Sequence, residues 1–475
     1  MGQEIGKTRF SESDFAEFRH RLEEETDLLS RSVRNGVCSS LGPITGFELE
    51  AWLVDSNWAP APANAVFLAR MDRTLACPEL AKFNVEFNNE PRRVSGSVLS
   101  DMESDLTGTW ALASSAAESL GLQLVAIGIL PTVGKAALNL ENMSAMNRFR
   151  ALNEQVFRAR QQRPLNLEIS GHEHLACSHA DVMLEAVATS FQIHLQVPLG
   201  RVREYFNASI LASAPLVGVA ANSPFLFGRD LWAETRIPVF EQAIDVGGFD
   251  GAARGPVHRV SFGTGYAHQG ICELFEENLR HFPVLLPLVS DLPPERYAHL
   301  RLHNGTIWRW NRALVGFDAD GTPHVRIEQR VTPAGPSIVD MIANAAFFYG
   351  LAESIVAEDW ERNLPFAVAR DNFYQAARHG LNALMIDRHG DKRRLGAWIL
   401  ETLLPLAGDG LRRLQLDEAD IGHYLGIIER RTASGLTGSE WQRRFIAGHP
   451  GSYIALTEEY FNHQRAGDPV HQWLL

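Results

Sequence analysis

Four stretches of this 475-residue chain set polar, metal-capable side chains on alternate positions. Glu48 and Glu50 stand in Gly46-Phe47-Glu48-Leu49-Glu50-Ala51-Trp52-Leu53. Glu86, Asn88 and Glu90 stand in Phe83-Asn84-Val85-Glu86-Phe87-Asn88-Asn89-Glu90. Gln192, His194 and Gln196 stand in Phe191-Gln192-Ile193-His194-Leu195-Gln196-Val197, and Arg326, Glu328 and Arg330 in Val325-Arg326-Ile327-Glu328-Gln329-Arg330-Val331. A strand turns successive side chains to opposite faces, so each stretch has an apolar back and a charged front. Any antiparallel sheet with one wet face alternates this way. These fronts, however, hold no Lys and no Ser, and they recur far apart in the chain. Brought onto one sheet, they make a surface of carboxylates, an imidazole and guanidiniums, which suits divalent metal and phosphate.

The elements that must position them follow from local signals. Ser11-Glu12-Ser13-Asp14 predicts a capped helix to about Arg34, ended by Gly36. Strands are expected near Thr45 to Val54, Lys82 to Asn88, Leu122 to Ile129, Leu165 to Ser170 and Ser190 to Val197. Helices are expected over Val98 to Leu120, over Met143 to Gln162, and from Pro198-Leu199-Gly200 to about Ser213. Val246 to Gly265, with its six glycines, reads as a long irregular loop. Leu302 to Val331 reads as two strands joined at Asp318-Ala319-Asp320-Gly321. After about Ser337 the pattern is helical. Strands and helices mix without steady βαβ alternation, which predicts an α+β fold.

Bulk composition narrows the function. Hydrophobic residues make up 45% and charged residues 21%, the balance of a soluble globular protein. A formal charge of −13 at pH 7 argues against nucleic acid or anionic membrane as a partner. Cys38, Cys77, Cys177 and Cys272 are scattered, with no C-x-x-C element. They predict a reduced, cytoplasmic setting rather than a disulfide frame or a thiolate zinc site. The N-terminus lacks the apolar core of a signal peptide. The apolar run from Ala214 to Phe227 is shorter than the ~20 residues that span a bilayer.

Familiar motifs fail on inspection. Gly128 to Lys135 has the wrong glycine spacing for a Walker loop, and Ala136 follows the lysine. Gly263-Thr264-Gly265 lacks the third glycine of a dinucleotide fingerprint. His172-Glu173-His174 is not H-E-x-x-H and reads as a hydrogen-bonded loop cluster. No Gly-x-Ser-x-Gly elbow is present.

At the four alternating stretches the sequence resembles the bacterial and plant glutamate–cysteine ligases and their carboxylate–amine ligase relatives. Gly46-Phe47-Glu48-Leu49-Glu50 resembles the family's opening Gly-x-Glu-x-Glu strand. Asn84-Val85-Glu86-Phe87 resembles its second acidic strand, and Ser190-Phe191-Gln192-Ile193-His194-Leu195 its central strand. Ala221-Asn222-Ser223-Pro224-Phe225 with Gly228 and Arg236 is the most specific match. His324-Val325-Arg326-Ile327-Glu328-Gln329-Arg330 resembles the last catalytic strand. The likeness covers roughly residues 40 to 350. The Trp- and Arg-rich run Thr306-Ile307-Trp308-Arg309-Trp310-Asn311-Arg312 departs from it.

The resemblance implies a glutamine-synthetase-like fold, with a mainly antiparallel curved sheet forming a metal- and ATP-lined funnel. Residues 1–40 would be a helical arm, 41–345 the catalytic domain, and 346–475 a helical region packed on it. It implies an ATP-dependent ligase that activates a carboxylate as an acyl phosphate for attack by an amine. Glutamate and cysteine are the default pair. Mg²⁺ or Mn²⁺ is the expected cofactor, with Glu48, Glu50, Glu86 and Glu328 as ligands. His194, Gln192, Arg326 and Arg330 would face the nucleotide. Arg330, Arg236 and Glu50 would be catalytic, and Glu90, Asn222, Arg236 and Arg309 would face substrate. The expected partners are small molecules, with a homo-oligomer allowed by the resemblance. The rival readings are a phosphotransferase of related sheet and a sensor of ATP or an amino acid without turnover.

Overall fold

The computed structural model describes residues 4–72, 74–246 and 258–475. The glycine-rich stretch expected from Val246 lies largely outside these. Helix α1 (Glu12–Arg34) starts where its signal sits: the Ser11 side chain accepts from the Asp14 backbone N–H, and the Asp14 carboxylate accepts from the Ser11 N–H. Its buried stripe of Phe18, Leu22 and Leu29 docks on the helices Cys272–His281 and Ala298–Asn304. Buried Glu25 fixes that contact, its carboxylate 2.6 Å from His299 Nδ1.

The alternating stretches meet in one sheet. Its strands among the described residues are β1 (Ile44–Val54), β2 (Ala76–Pro78), β3 (Asn84–Asn88), β4 (Arg92–Arg93), β5 (Gln123–Val125), β6 (Phe191–Gln196), β7 (Asn311–Phe317) and β8 (Pro323–Gln329). The order is β7-β8-β6-β1-β3-β2, with β4 and β5 also on β1. Every pairing is antiparallel, and the sheet curls into a half-barrel. The α+β expectation holds.

Register decides which fronts meet, because residues directly opposite share a face. Glu48 lies opposite Asn88 on one side and Gln192 on the other. Glu50 faces Glu86, which in turn faces Cys77. A single row runs Arg312–Glu328–His194–Gly46 across four strands. The β7–β8 hairpin turns at Asp318 to Gly321 as expected, with Gly321 at φ 87°, a conformation open to glycine.

The back of the sheet carries Phe47, Leu49, Ile193, Leu195, Val325 and Ile327, all buried. It is covered by α2 (Val98–Glu118), α3 (Val202–Ala220) and α4 (Ile338–Ala357). Helix α4 is the one described helix long and apolar enough to cross a membrane, and it is buried in the core. Later helices pack on α4, interrupted by a hairpin of Leu384–Ile386 with Lys392–Arg394.

Several boundaries differ from the sequence signals. Helix α3 runs to Ala220 rather than Ser213, straight through Pro215. Every residue from Tyr205 to Ala220 is buried, and that burial outweighs the lost backbone hydrogen bond. Only Gln123–Val125 of the stretch Leu122 to Ile129 is strand. Leu302 to Asn304 ends a helix instead of starting a strand. Trp308–Arg309 pairs in parallel with Val260–Ser261, apart from the main sheet.

Candidate active site

The charged front resolves into two groups of ligand atoms. Glu48, His194 and Glu328 place their side-chain donors within 4.8 Å of one another, and so do Glu50, Glu79 and Glu86. The four expected carboxylates are therefore split between two positions, and His194 joins them as a third donor of the first.

The first group is balanced by cations. Glu328 accepts from Arg312 Nε at 2.8 Å and Nη2 at 3.0 Å, and from Arg330 Nη1 at 3.0 Å. Burial works to raise its pKa, but Arg312 and Arg330, with His194, hold it well below the ordinary carboxylate range. His194 Nε2 lies 3.6 Å from a carboxylate oxygen of both Glu48 and Glu328. That nitrogen is buried without a hydrogen-bond partner. Nδ1 accepts from Arg326 Nε at 3.1 Å. Burial, reinforced by Arg326 against the pull of Glu48, lowers the His194 pKa to about 4, so the ring is neutral near pH 7.

The second group is crowded with acids. Glu86 accepts from the Cys77 thiol and from Asn88 Nδ2, both at 3.2 Å. Burial, then the charges of Glu48 and Glu79, push its pKa to about 8. Glu50 accepts from the Ser190 N–H at 2.7 Å and from Gln192 Nε2 at 2.9 Å. Burial raises it to about 7, against Arg330 and with Glu86. Glu185 stands near enough that Glu79 and Glu50, after burial, raise its pKa further.

Oxygen-rich donor sets of this kind fit Mg²⁺ or Mn²⁺. Three carboxylates within 4.8 Å, Glu86 buried and Glu50 and Glu79 half-buried, repel one another in the absence of a cation, and an orphaned imidazole nitrogen between two carboxylates is a group that wants a partner. Glu48, His194 and Glu328 would hold one ion, and Glu50, Glu79 and Glu86 another.

Arg330 links the groups: its Nη1 donates to Gln192 Oε1 as well as to Glu328. Its Nε is buried without a hydrogen-bond partner. Other sequence-selected residues lie elsewhere. Arg236 donates Nε to Glu234 and Nη2 to the carbonyls of Arg330 and Val331. Asn222 donates its amide to Ala334 O and the Tyr460 hydroxyl, both at 2.8 Å, and accepts from Gln442, joining the sheet's exit to the C-terminal helices. Arg309 is buried with Nη2 3.2 Å from Glu277 and its guanidinium over Phe282, not over Trp308 or Trp310. Glu90 is exposed beyond the end of β3. His172 and Glu173 pair with Asp230 and Arg229, the ordinary surface contacts expected of that cluster.

Glu79 and Glu185 escaped the sequence reading. Glu79 follows Pro78 in a turn, and Glu185 lies in a 3₁₀ turn (Val182–Val187), so neither has an alternating context. Gln192, expected to face the nucleotide, has its side chain bonded to both Glu50 and Arg330.

Comparison with known proteins bears on the fold and the family. The solved structure of the glutamate–cysteine ligase of Francisella tularensis in complex with AMP matches with a TM-score of 0.54 at 10% identity, over 89% of this chain and 89% of that one. A bifunctional glutathione synthetase from Pasteurella multocida gives 0.45 at 13% identity, over 89% of this chain and 52% of that one. No curated protein sequence matches. The curled sheet with its helical C-terminal region is the glutamine-synthetase-like ligase fold. The model of the glutamate-cysteine ligase family 2 matches residues 44–459, and the protein belongs to that family.

Proposed function

We propose that the protein is an ATP-dependent carboxylate–amine ligase that joins the γ-carboxylate of glutamate to the amine of an amino acid, with cysteine the default, in a cytoplasmic setting. The carrying observation is the pair of carboxylate-rich groups on one sheet face, bridged by Arg330 through Gln192 and Glu328. Divalent ions held by the two groups would neutralise the phosphate charges and polarise the transferring phosphoryl group.

The remaining work falls to the chain's own groups. A substrate carboxylate oxygen attacks the γ-phosphorus of ATP, and ADP leaves. The amine then attacks the acyl carbon, and phosphate leaves. Arg330 brings to the γ-phosphate a delocalised charge and an Nε–H with no protein acceptor. Gln192 holds Glu50 and Arg330 in register, and Arg326 lies beside His194 for the nucleotide. The depth of the site, with Glu48, Glu86, Gln192 and Glu328 all buried, limits loss of an acyl phosphate to water.

The test is phosphate release from ATP and Mg²⁺ across carboxylate and amine pairs, starting with glutamate and cysteine. Release that needs both partners, with the coupled amide found by mass, supports the ligase. ATP binding without release across a broad amino-acid panel sinks it in favour of a sensor.

A further inference from the structure

Among the described residues, Glu234 is a wholly buried carboxylate, at 0% exposure, that belongs to neither ligand group. One of its bonds, from Arg236, leads to the backbone that carries Arg330. Its Oε2 accepts from the Asn222 backbone N–H at 2.8 Å, and its Oε1 from the Ser223 hydroxyl at 2.7 Å. Oε1 also accepts from Arg236 Nε at 3.2 Å. The same guanidinium turns Nη2 to the carbonyl oxygens of Arg330 at 3.1 Å and of Val331 at 2.5 Å. Its Cζ sits 5.3 Å from the centre of the Trp310 ring. Trp310 in turn accepts the Arg330 N–H at its carbonyl, at 2.9 Å.

The Arg330 main chain is thus held on both sides, its N–H by Trp310 and its carbonyl by Arg236. Two consecutive carbonyls bound by one planar guanidinium fix the orientation of the peptide between them. That peptide begins where Arg330 leaves β8, so it sets the direction of the Arg330 side chain. From there the chain of bonds continues through Gln192 to Glu50.

A buried ion pair adds little net stability, because desolvation offsets the attraction. What this pair supplies is placement. We propose that Glu234 is a positioning residue for phosphoryl transfer, acting through Arg236 to aim Arg330 at the reacting phosphate. The inference rests on the ligase reading above. It assigns to Glu234 control of turnover without control of nucleotide affinity, since Glu234 contacts neither ligand group.

The experiment is steady-state kinetics of Glu234→Gln and Arg236→Lys. The substrates are ATP, Mg²⁺ and whichever carboxylate–amine pair supports phosphate release in the unaltered protein. Glutamine keeps the size and one acceptor but removes the charge, and lysine cannot span Glu234 and both carbonyls. The expected result for each is a kcat about 10²-fold lower, the cost of a misplacement near 1 Å. KM for ATP and Mn²⁺ stoichiometry should be unchanged, and the double variant should be no worse than the poorer single. If Glu234→Gln does not fold, Arg236→Lys carries the same test. A folded variant with kcat within twofold of the unaltered enzyme overturns the inference. So does a loss of kcat matched by a rise in KM or by lost Mn²⁺, which would mark general damage to the site. Absence of turnover in the unaltered protein with every pair overturns the ligase reading itself, and this inference with it.

Discussion

The two ligand groups lie on one sheet face and share a chemistry, yet they are built on opposite electrostatic plans. Around Glu48, His194 and Glu328 the protein supplies its own counter-charge, with Arg312 and Arg330 bonded to Glu328 and Arg326 bonded to His194. Around Glu50, Glu79 and Glu86 it supplies mostly neutral donors: the Ser190 N–H, the Gln192 and Asn88 amides and the Cys77 thiol. The result is an ionised Glu328 held well below its usual range, against Glu50 and Glu86 raised to about 7 and about 8. The first group is finished by the fold. The second is left with unbalanced negative charge that a divalent cation would neutralise.

The largest expected effect breaks both groups alike. Glu48→Gln in the first and Glu50→Gln in the second should each lower coupled phosphate release by roughly 10²-fold or more, the scale of losing one electrostatic element of a transition-state site. A Mn²⁺ titration alongside should show one fewer ion in each case. Full turnover in either variant would remove that group from the reaction.

The comparison sharpens when stability replaces activity. Glu328→Gln leaves Arg330 buried and Arg312 half-buried without their carboxylate, so metal-free protein should lose about 3 kcal/mol in urea unfolding. Glu79→Gln removes one of three crowded acids, and metal-free protein should gain about 1 kcal/mol at pH 8. Equal and same-signed shifts would mean that the two groups are not built differently.

How much of this contrast was legible in the sequence depended on how local each signal is. Alternation put Glu48, Glu50, Glu86, His194 and Glu328 on strand faces, because a period of two survives in any sheet. It did not divide them into two groups, since that division is set by register: Glu50 opposite Glu86, His194 opposite Glu328. Glu79 was invisible because its approach depends on how β2 meets β3. The C-terminal helices were expected, but their contact with the rest of the fold was out of reach. The resemblance was readable to about residue 350, whereas the family match extends to 459. Among the described residues, those helices reach Asn222 through the side chains of Tyr460 and Gln442. Helical periodicity carries no trace of that contact.

Acidity separates the groups by a smaller amount. Glu50 and Glu86 titrate at about 7 and about 8 in the fold against an ordinary value of 4.5. The folded protein therefore keeps protons that the unfolded chain has released. The contribution of Glu50 and Glu86 to stability is full below pH 4.5 and is lost as pH rises through 8. Metal-free protein should melt at progressively lower temperature from pH 5 to pH 8. Mn²⁺, which needs deprotonated ligands, should raise the melting temperature more at pH 8 than at pH 6. A flat metal-free profile would mean that the acids of the second group do not feel one another.

The smallest effect tests whether the counter-charge of the first group carries a cost. Arg326 Nε donates to His194 Nδ1 at 3.1 Å. In a neutral imidazole only one nitrogen accepts, so the proton sits on Nε2, the atom between Glu48 and Glu328. An Nε2 that carries a proton has no lone pair for a cation. Metal entry must move that proton to Nδ1, and Arg326 must then turn away from a nitrogen that has become a donor. Arg326→Leu removes this competition and one positive charge beside Glu48 and Glu328. Mn²⁺ should then bind the first group about threefold to tenfold more tightly, the worth of one net hydrogen bond. Affinity at Glu50, Glu79 and Glu86 should stay as it was, because Arg326 touches none of them. Nucleotide affinity should fall, since the variant lacks the cation that sits beside the imidazole. If both metal affinities rise together, the two groups share one field, and the division between a finished and an unfinished site is wrong.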